Sequence, residues 1–356
     1  MGIISASIVE IAIPWGTHDC FMRQLVSVFI VLLLLPTAAA CETEIGPILN
    51  GDPPSPTGIS LDKDASIREA VRVAEVGQIH AREMLWEVLM GANMTEREIA
   101  DSIDAAMIAE GSNPEWPSFG SIVASGPNSA IPHGDPDNEG AGPRVVQIGD
   151  VVVVDIGARI DDWVSDVTRT YVVGGTHNDT IIRAYMAVYD AQNLTFPLIE
   201  AGTPAWVLDD IARTHIEEEG FGEYFIHSLG HGFGICVHEP PLLSSGSEDP
   251  LFGLDYNSQP LMNYDAVTIE PGIYLEGWFG IRIEDDFLVD DDGHEFMTSD
   301  LPRDLDWFMI TEDNGTIVEE VPSADSKDRS LPLHFGVSEM LLVALTASFF
   351  GRRNRE

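Results

Sequence analysis

The sequence predicts an α+β fold made of two similar halves, and three patterns support this expectation. Apolar residues recur at helical spacing in 66–89, 179–195 and 203–219. Runs rich in valine and isoleucine, which are typical of strands, fill 150–173 and 265–289. Helices and strands therefore follow one another in blocks, and the second pair of blocks repeats the order of the first. The repeat is inferred from this order of helices and strands, and no match of individual residues between the halves demonstrates it.

The charge balance restricts the partners of this chain. Among its 356 residues, 18 are Lys or Arg and 59 are Asp or Glu, which gives a formal net charge of −41. Such a surface repels nucleic acid and stays soluble in salt, so we expect no nucleic-acid partner and a saline habitat. The hydrophobic fraction of 44% is that of a globular protein. The charge itself says nothing about the fold.

The amino-terminal residues 1–40 have the pattern of a secretory signal. Met22 and Arg23 precede the apolar run LVSVFIVLLLLP and the small residues TAAA. Because the pattern begins at Met22, residues 1–21 are either part of the signal or an upstream stretch that is not translated. Cys41 follows directly, so simple cleavage and lipidation of Cys41 are both open. In either case the signal predicts an exported protein, secreted or held at the extracellular face of the cell membrane.

The segments that flank the predicted domain differ from it in composition. Residues 41–66 are rich in Pro, Gly and Asp and predict a flexible tether. The carboxy-terminal residues 331–356 combine an apolar run with arginines after it, which favours a membrane anchor or a removed sorting tail. A buried amphipathic helix is the alternative for this tail. The folded domain is expected to occupy 67–320.

The first predicted elements have recognisable boundary signals. The helix at 66–89 ends before Gly91, and Thr95 and Glu98 have the spacing of a capping box that begins a second helix. Residues 118–126 predict a strand that runs into a turn. These signals give the first half the order helix, helix, strand.

Two aspartates interrupt a valine-rich segment. The stretch VVVVDIGARIDDWVSDVTRTYVV places Asp155 and Asp166 among strand-forming residues, where aspartate is depleted. Asp161 and Asp162 predict the turn of a hairpin, and pairing around that turn places Asp155 directly opposite Asp166. Like charges that face each other across two strands are destabilising, so the pair predicts a bound cation. A solvated outer face is the alternative, and it is common for a lone aspartate in a strand.

A second carboxylate pair has the same arrangement. Glu270 ends DAVTIE, Glu284 ends GIRIE, and a hairpin that turns at the midpoint, Gly277, brings the two together. Pro271 is expected to break the strand pairing beside Glu270. Four carboxylates from two hairpins carry about the charge of two divalent cations. Oxygen-rich sites of this kind suit Mn, Fe, Co or Zn when imidazoles join them.

Histidines that could join these carboxylates are concentrated in one segment. HSLGHGFGICVHE contains His227, His231 and His238, and its glycines would let the backbone approach a ligand closely. His133 follows a proline turn in GPNSAIPHG. A lone histidine is usually a surface or core residue, but three in so short a segment predict contacts with a metal or a substrate.

These two segments, together with DIGARIDDWVSDVTRT, TIEPGIY and GIRIEDD, resemble the pita-bread metallopeptidases, the family of methionine aminopeptidases, Xaa-Pro aminopeptidases and prolidases. The resemblance extends over residues 67–300. It implies a pita-bread fold whose pseudo-twofold halves surround two divalent metal ions (Mn, Co, Zn or Fe). The ligands that it implies are Asp155, Asp166, His231, Glu270 and Glu284.

The resemblance also implies the chemistry. Two metal ions would make hydroxide available at neutral pH and polarise the scissile carbonyl. Glu270 would pass a proton to the leaving amine, and His238 would bind the carbonyl oxygen. The catalytic residues are then His133, His238 and Glu270, and the substrate-binding residues are His133, His227, His238 and Arg282.

Within this family, His227 and Arg282 are similar to the proline-directed branch. The sequence therefore predicts an exported Xaa-Pro aminopeptidase or dipeptidase that acts on peptide substrates. A methionine aminopeptidase-like exopeptidase is the first alternative, and a non-catalytic binding protein of the same fold is the second. Hydrolysis of a non-peptide amide or amidine, as in creatinase relatives, is a third, and a homodimer is left open.

Overall fold

The computed structural model describes residues 61–138, 140–245, 259–290 and 293–314. The predicted signal sequence, Cys41, most of the tether and the predicted carboxy-terminal tail lie outside the described residues. Within the described ranges, no helix is both long and apolar enough to cross a membrane. Lipid attachment and a carboxy-terminal anchor therefore stay predictions.

The described residues form helices and strands in the predicted order. The helices are α1 (Leu61–Leu89), α2 (Glu96–Ala109), α3 (Asp179–Thr195), α4 (Ala205–Glu218) and α5 (Leu305–Phe308). The strands of the first half are β1 (Ile122–Ser125), β2 (Val151–Ile156), β3 (Arg159–Ile160), β4 (Trp163–Val164) and β5 (Val167–Val173). The later strands are β6 (Gly230–Gly232), β7 (Glu239–Leu243), β8 (Ala266–Ile269), β9 (Gly272–Leu275), β10 (Phe279–Arg282), β11 (Asp285–Asp290), β12 (Gly293–Phe296) and β13 (Met309–Ile310).

The strands are arranged in two main sheets. One has four strands in the order β1-β2-β5-β13, and the other has five in the order β12-β11-β8-β6-β7. Two short hairpins, β3 with β4 and β9 with β10, pair separately. The hairpin β9–β10 lies between β8 and β11 in sequence and extends the ladder that those two strands begin.

Each half has a hydrophobic core of its own between helices and strands. In the first half, α1 and α2 pack on β2 and β5 through residues such as Ala74 and Val154. In the second half, α3 and α4 pack on β8 and β10 through residues such as Val188 and Ile269. Successive side chains of a strand point to opposite faces, so the face opposite each core is available for the site. The two-half arrangement predicted from the block order is therefore present.

The helix starts test two sequence expectations. Helix α1 begins at Leu61, so residues 61–66, which were predicted to end the flexible tether, are helical instead. The capping box before α2 is confirmed, because the Glu98 amide donates to Thr95 Oγ1 at 3.1 Å and the Thr95 amide donates to the Glu98 carboxylate at 2.8 Å. Such a box satisfies two amides that the first turn of a helix otherwise leaves unpaired.

The first hairpin corrects the predicted register. Asp155 pairs with Thr168, not with Asp166. The turn occupies Asp161 and Asp162 as predicted, and Asp161 has a φ of +54°. The hairpin therefore pivots between these two residues, whereas the predicted pairing would need a pivot before Asp161. Asp166 lies two residues before Thr168 and therefore faces the same side as Thr168 and its partner Asp155. It lies diagonal to Asp155.

The second hairpin follows its prediction. Gly277 lies at the turn with a φ of +73°, and Arg282 pairs with Gly272 across it. The same register continues beyond an interruption, since Asp285 pairs with Ile269. Glu270 and Pro271 lie in that interruption. Pro271 has no N–H to donate, so the ladder breaks where the sequence predicted.

Candidate active site

The two carboxylate pairs and the histidines meet in one cleft of about 1120 Å³. The first hairpin contributes Asp155 and Asp166, and the second contributes Glu270 and Glu284. All the residues that the sequence predicted for the site line this cleft: His133, Asp155, Asp166, His227, His231, His238, Glu270, Arg282 and Glu284. Their placement is thus as predicted, and their individual roles stay predictions.

The centre of the cleft contains a group of ligand atoms with metal-site spacing. Single ligand atoms of Asp166, His231 and Glu284 all lie within 4.8 Å of one another, and all three residues are buried. His231 Nε2 lies 3.3 Å from Glu270 Oε1 and 3.7 Å from Asp166 Oδ2. Carboxylate and imidazole donors at such spacing are the ligand types that Mn, Fe, Co and Zn take in proteins.

The tautomer of His231 indicates what must lie between its Nε2 atom and the neighbouring carboxylates. His231 Nδ1 lies 3.1 Å from the carbonyl oxygen of Gly232, and since a carbonyl only accepts, Nδ1 carries a proton. In the neutral ring, Nε2 then turns its lone pair towards the oxygens of Glu270 and Asp166. Lone pairs that face carboxylates repel each other, so a proton or a metal ion must lie between these atoms.

The carboxyl groups themselves indicate uncompensated negative charge. Burial raises the pKa of Asp166 well above its usual value, and the neighbouring charges of Glu284 and Asp155 raise it further. Burial likewise raises the pKa of Glu284, with Glu270 and Asp155 adding to the effect. Asp166 Oδ1 and Asp155 Oδ1 are buried and accept no hydrogen bond from the described residues. The donor set and these unpaired oxygens fit a divalent cation.

The pKa of Glu270 is shifted in the opposite direction from those of Asp166 and Glu284. Burial raises the pKa of Glu270, but the hydrogen bond and charge of His231, together with His227 and Arg282, lower it to about 2. Glu270 is therefore ionised throughout the neutral range, whereas burial and the neighbouring carboxylates make ionisation of Asp166 and Glu284 less favourable. Carboxyl groups whose surroundings shift their pKa values in opposite directions are the arrangement that acid and base roles require.

Burial lowers the pKa values of the two other histidines of this segment, His227 and His238. Loss of hydration lowers the pKa of His238 to about 4, and the adjacent His231 contributes, with ring centroids 4.3 Å apart. Burial also lowers the pKa of His227. A neutral imidazole keeps one N–H, so each ring can donate one hydrogen bond while its other nitrogen accepts.

A chain of hydrogen bonds connects His227 to Asp155. His227 Nδ1 donates to Ser228 O at 2.7 Å, so Nε2 accepts from the Tyr274 hydroxyl at 2.9 Å. That hydroxyl accepts in turn from Arg282 Nη1 at 2.8 Å, and Arg282 Nη2 donates to Asp155 Oδ2 at 2.6 Å. Arg282 is 2% exposed and thereby fixes one oxygen of Asp155, while the other oxygen stays unpaired.

Comparison with known proteins identifies the family. Residues 65–291 match metallopeptidase family M24. The chain belongs to metallopeptidase family M24. The prediction drawn from the five motifs is thereby confirmed, and the cleft described above is the candidate active site of an M24 domain.

Relatives and solved structures agree with this assignment. The chain is similar to the Xaa-Pro dipeptidase of Pyrococcus furiosus, with 38% identity over 65% of this chain and 60% of the relative. It resembles the structure of the X-Pro aminopeptidase from Thermotoga maritima, with 36% identity, a TM-score of 0.60, and coverage of 71% of this chain and 64% of that chain. It also resembles the prolidase from Pyrococcus furiosus, with 35% identity and a TM-score of 0.58 over 67% of this chain and 64% of that one.

These comparisons confirm the predicted α+β pita-bread fold. The chain spans about three fifths of the length of the curated relatives, 60% and 62% for the two Pyrococcus dipeptidases. What is shared is therefore the M24 domain and not the whole of those proteins.

The M24 site contains a threonine that the sequence analysis did not single out. Thr168 Oγ1 donates to Glu284 Oε2 at 2.6 Å and accepts from Arg282 Nε at 3.0 Å. It therefore links both hairpins, because Glu284 and Arg282 belong to the second one. Alternation along DVTRT puts Thr168 on the same face as Asp166, and that signal could have identified it.

A buried ion pair supports the same strands from behind. Arg169 Nη2 donates to Asp285 Oδ1 at 2.6 Å, and both side chains are completely buried. Arg169 Nη1 also donates to the carbonyl oxygens of Thr168 at 2.9 Å and Glu284 at 2.7 Å. The pair thus connects the backbone at Thr168 to the backbone at Glu284. Nothing in the local sequence distinguishes Arg169 from a solvated strand residue.

Another buried acid organises the loop before His133. The Glu96 carboxylate accepts from the amide and the hydroxyl of Ser125, each at 2.7 Å, from Asn128 Nδ2 at 3.0 Å and from the amide of Gly142 at 3.2 Å. These donors flank the segment that carries His133 into the cleft. A glutamate in the first turn of α2 would ordinarily be read as an exposed residue that favours the helix dipole.

Proposed function

We propose that this M24 domain is a metal-dependent aminopeptidase that removes an amino-terminal residue preceding proline. The observation that carries the proposal is the contact of His231 Nε2 with Glu270 and Asp166, at 3.3 and 3.7 Å. A metal ion between these atoms would satisfy them, and they lie in a cleft of about 1120 Å³, which is large enough for a peptide. The names of the relatives, Xaa-Pro dipeptidase and X-Pro aminopeptidase, supply the proline preference.

We further propose that the cleft holds two divalent metal ions, of Mn, Co, Zn or Fe. Asp155, Asp166, His231, Glu270 and Glu284 would hold them, since four carboxylates carry about the charge of two such ions. When bound, the metal ions supply an activated water at neutral pH and polarise the scissile carbonyl. Positive charge at this place would favour the ionised forms of Asp166 and Glu284, whose pKa values burial raises.

The remaining residues of the cleft perform the proton transfers and hold the substrate. Glu270 is ionised, with a pKa lowered to about 2, so it can accept a proton and pass it to the leaving nitrogen. His238 is neutral, with a pKa lowered to about 4, and its N–H can donate to the carbonyl oxygen as charge develops there. His133 and His227 line the same cleft and would contact the substrate on either side of the cut.

The proline preference has a chemical basis in this cleft. The X-Pro bond is a tertiary amide and has no N–H, so a site that recognises the scissile N–H cannot use it. The groups that would surround the carbonyl are carboxylates and imidazoles, and none of them requires that donor. A bond that other peptidases reject is therefore accessible to this constellation.

A competition between two peptides tests the proposal. The full chain, loaded with Mn²⁺ or Co²⁺, is given equal amounts of Xaa-Pro-Xaa and Met-Ala-Xaa tripeptides, and the products are separated by chromatography. We expect faster release of the residue before proline, and acceptance of tripeptides as well as dipeptides. Preference for the methionine peptide would contradict the proposal and favour a methionine aminopeptidase-like enzyme.

A matched variant controls this experiment. Asp166→Asn removes one central carboxylate and keeps the size of the side chain. Release of the residue before proline by the variant at the wild-type rate would show that a contaminant performs the reaction. Absence of any hydrolysis by the metal-loaded wild type would instead favour a binding protein.

We also propose that the protein is exported, on the strength of the apolar run after Met22. Expression of the full chain in a halophilic host, followed by mass spectrometry of its amino terminus, tests this. Cleavage directly before Cys41 with an added diacylglycerol mass supports lipid anchoring, cleavage without it supports simple secretion, and an intact amino terminus in the cytosol contradicts export.

A further inference from the structure

A glutamine lies behind each ligand hairpin. Gln78 belongs to α1 and Gln192 belongs to α3, and both side chains are completely buried. Neither lines the cleft. A buried amide must satisfy two donors and an acceptor, so its partners in a core are informative.

Gln78 joins the two strands of the first hairpin. Its Nε2 donates to Val154 O at 3.0 Å and to Val167 O at 2.8 Å. Val154 precedes Asp155, Val167 precedes Thr168, and Asp155 and Thr168 are paired across the strands. Because Val154 and Val167 point into the core beneath α1, Asp155 and Thr168 point to the opposite face, into the site. The amide therefore lies directly behind the pair.

Gln192 makes the corresponding contacts in the second half. Its Nε2 donates to Ile269 O at 2.9 Å and lies 3.4 Å from Ile283 O. Ile269 precedes Glu270 and Ile283 precedes Glu284, and the strand register on both sides of the interruption places these two glutamates opposite each other. The two glutamines thus occupy equivalent positions, each behind the pair of side chains that faces the site.

The sequence separations agree with this equivalence. Gln78 is 76 residues from Val154, and Gln192 is 77 residues from Ile269. The separations to the second carbonyl, 89 and 91 residues, also correspond. These glutamines therefore provide the residue-level match between the halves that the strand and helix patterns alone do not.

The orientation of each amide is fixed from its other end. Gln78 Oε1 accepts from the Tyr171 hydroxyl at 2.9 Å, and Gln192 Oε1 accepts from Arg303 Nη1 at 2.9 Å. A guanidinium can only donate, so Gln192 must turn its NH₂ group towards the carbonyls. Gln192 Nε2 also donates to Asp285 Oδ2 at 2.9 Å, which connects it to the buried ion pair of Arg169.

The ladder between the strands of the second hairpin is interrupted where Gln192 contacts it. Pro271 lies opposite Ile283 in the register and has no N–H, so the ladder cannot hold Glu270 and Glu284 together there. In the first hairpin, Arg282 donates to both Asp155 and Thr168 on the site face, and Gln78 joins the same two strands from behind. Two carboxylates in each hairpin also repel, and repulsion acts to widen the separation of the strands.

We propose that Gln78 and Gln192 are equivalent positioning residues, each of which fixes the distance between the two strands of one ligand hairpin and thereby the spacing of the carboxylates for the metal ions. This inference rests on the proposed metal site. Neither glutamine touches metal or substrate. Residues that act on ligands from behind commonly change metal affinity by about 10- to 100-fold when they are replaced.

Methionine variants test the proposal, since methionine has nearly the shape of glutamine and no amide. Gln78→Met and Gln192→Met are made separately in the full chain, and Co²⁺ affinity is measured by equilibrium dialysis. We expect each variant to bind Co²⁺ about 10-fold more weakly or worse, with a changed visible absorption spectrum of the bound Co²⁺. A role in stability alone would lower the unfolding temperature and leave the spectrum and the affinity unchanged.

Thr195→Val is the matched control. Thr195 is buried on α3 and donates to Gln192 O at 2.8 Å, so its loss removes one buried hydrogen bond without touching a strand. The control should lose stability and keep the wild-type Co²⁺ affinity and spectrum. If a methionine variant does not fold, Gln78→Asn or Gln192→Asn takes its place, since the amide is kept but is too short to reach both carbonyls.

Each outcome is decisive. Affinities within twofold of wild type in both variants overturn the positioning role, and an effect in only one variant overturns the equivalence. Absence of Co²⁺ binding by wild type overturns the proposed metal site and this inference with it. Wild-type binding with unaffected variants overturns this inference alone.

Discussion

Asp166 and Glu284 are carboxylic acids in a place where the protein supplies little positive charge. Burial raises the pKa of both, and the charge of Asp155 raises both further. Arg282 Nε lies 4.0 Å from Glu284 Oε2, but the short contact of Arg282, at 2.6 Å, is with Asp155. The stability of the folded state should therefore depend on what occupies the centre.

The first prediction concerns Asp166→Asn. Because the asparagine removes a central charge, we expect Mn²⁺ to raise the unfolding temperature of wild type and not that of the variant. A ligand at a hundred times its dissociation constant stabilises a protein by about 2.7 kcal/mol. Differential scanning calorimetry with and without Mn²⁺ measures the difference.

Asp101→Asn is the control for this comparison. Asp101 lies on α2, and its side chain is 65% exposed. Its ion-pair partner is Arg97, and neither residue lines the cleft. It should respond to Mn²⁺ as wild type does. An equal metal response of the Asp166 variant would show that the ions bind elsewhere.

The second prediction concerns His238→Ala. The ring is neutral and has its N–H available for the substrate, so its loss should lower kcat by about 10²- to 10³-fold, as loss of a single oxyanion donor does. Metal content, measured by elemental analysis, should stay at the wild-type value. Loss of metal from this variant would identify His238 as a ligand instead.

At the residue level, the sequence analysis identified residue types that are unusual in their local segment. It missed residue types that are common there. Aspartates within valine runs and clustered histidines are rare enough to indicate a site. Thr168 and Tyr274 are common in strands, and their importance comes only from what lies opposite them: Glu284 for Thr168, and Arg282 and His227 for Tyr274. Such contacts between distant segments have no local signal.

At the level of elements, the hairpin β9–β10 is tightly attached to the loop that precedes His133. The Gly280 amide donates to Ser129 Oγ at 2.8 Å, and a Cβ on Gly280 would lie 1.9 Å from Ser129 O. The strand therefore passes so close to the loop that only glycine fits. This contact joins an element of the second half to an element of the first.

The third prediction compares Gly280→Ala with Gly277→Ala in the same hairpin. Gly277 has nothing within 4 Å of its Cβ position, so alanine there costs only the left-handed backbone strain, about 1 to 2 kcal/mol. Gly280→Ala must displace the loop, so we expect a larger loss of stability and a higher KM. Urea denaturation and steady-state kinetics measure both, and equal effects of the two variants would contradict the close-contact argument.

Element boundaries were predicted well where a cap or a turn residue marks them, as at Thr95 and Gly277. The register of the first hairpin was not, because a one-residue uncertainty in the pivot moves each partner by two positions. The midpoint between Asp155 and Asp166 is a weaker guide to the strand register than the position of the turn residues. The turn at Asp161 and Asp162 gives the observed pairing of Asp155 with Thr168.

At the level of the whole molecule, the net charge of −41 acts on stability through self-repulsion. The fourth prediction is that the urea midpoint of the metal-free protein rises between 0.1 and 1 M KCl, because the screening length falls from about 10 to about 3 Å. Circular dichroism at each salt concentration measures it. A midpoint that is independent of salt would show that the acidic groups are too dispersed to repel one another.

The proposed ligands are divided between the two halves, with Asp155 and Asp166 on the first and His231, Glu270 and Glu284 on the second. Neither half alone could hold the ions, and the ligand furthest along the chain is made last during synthesis. A nascent chain therefore cannot complete the site until the second half has folded against the first. With metal ions bound as proposed, metal supply would influence how long the finished protein survives, because departure of an ion would leave mutually repelling acids uncompensated and would favour opening and attack by proteases. Under metal limitation, loss of the proposed ions would therefore influence when the protein is itself degraded.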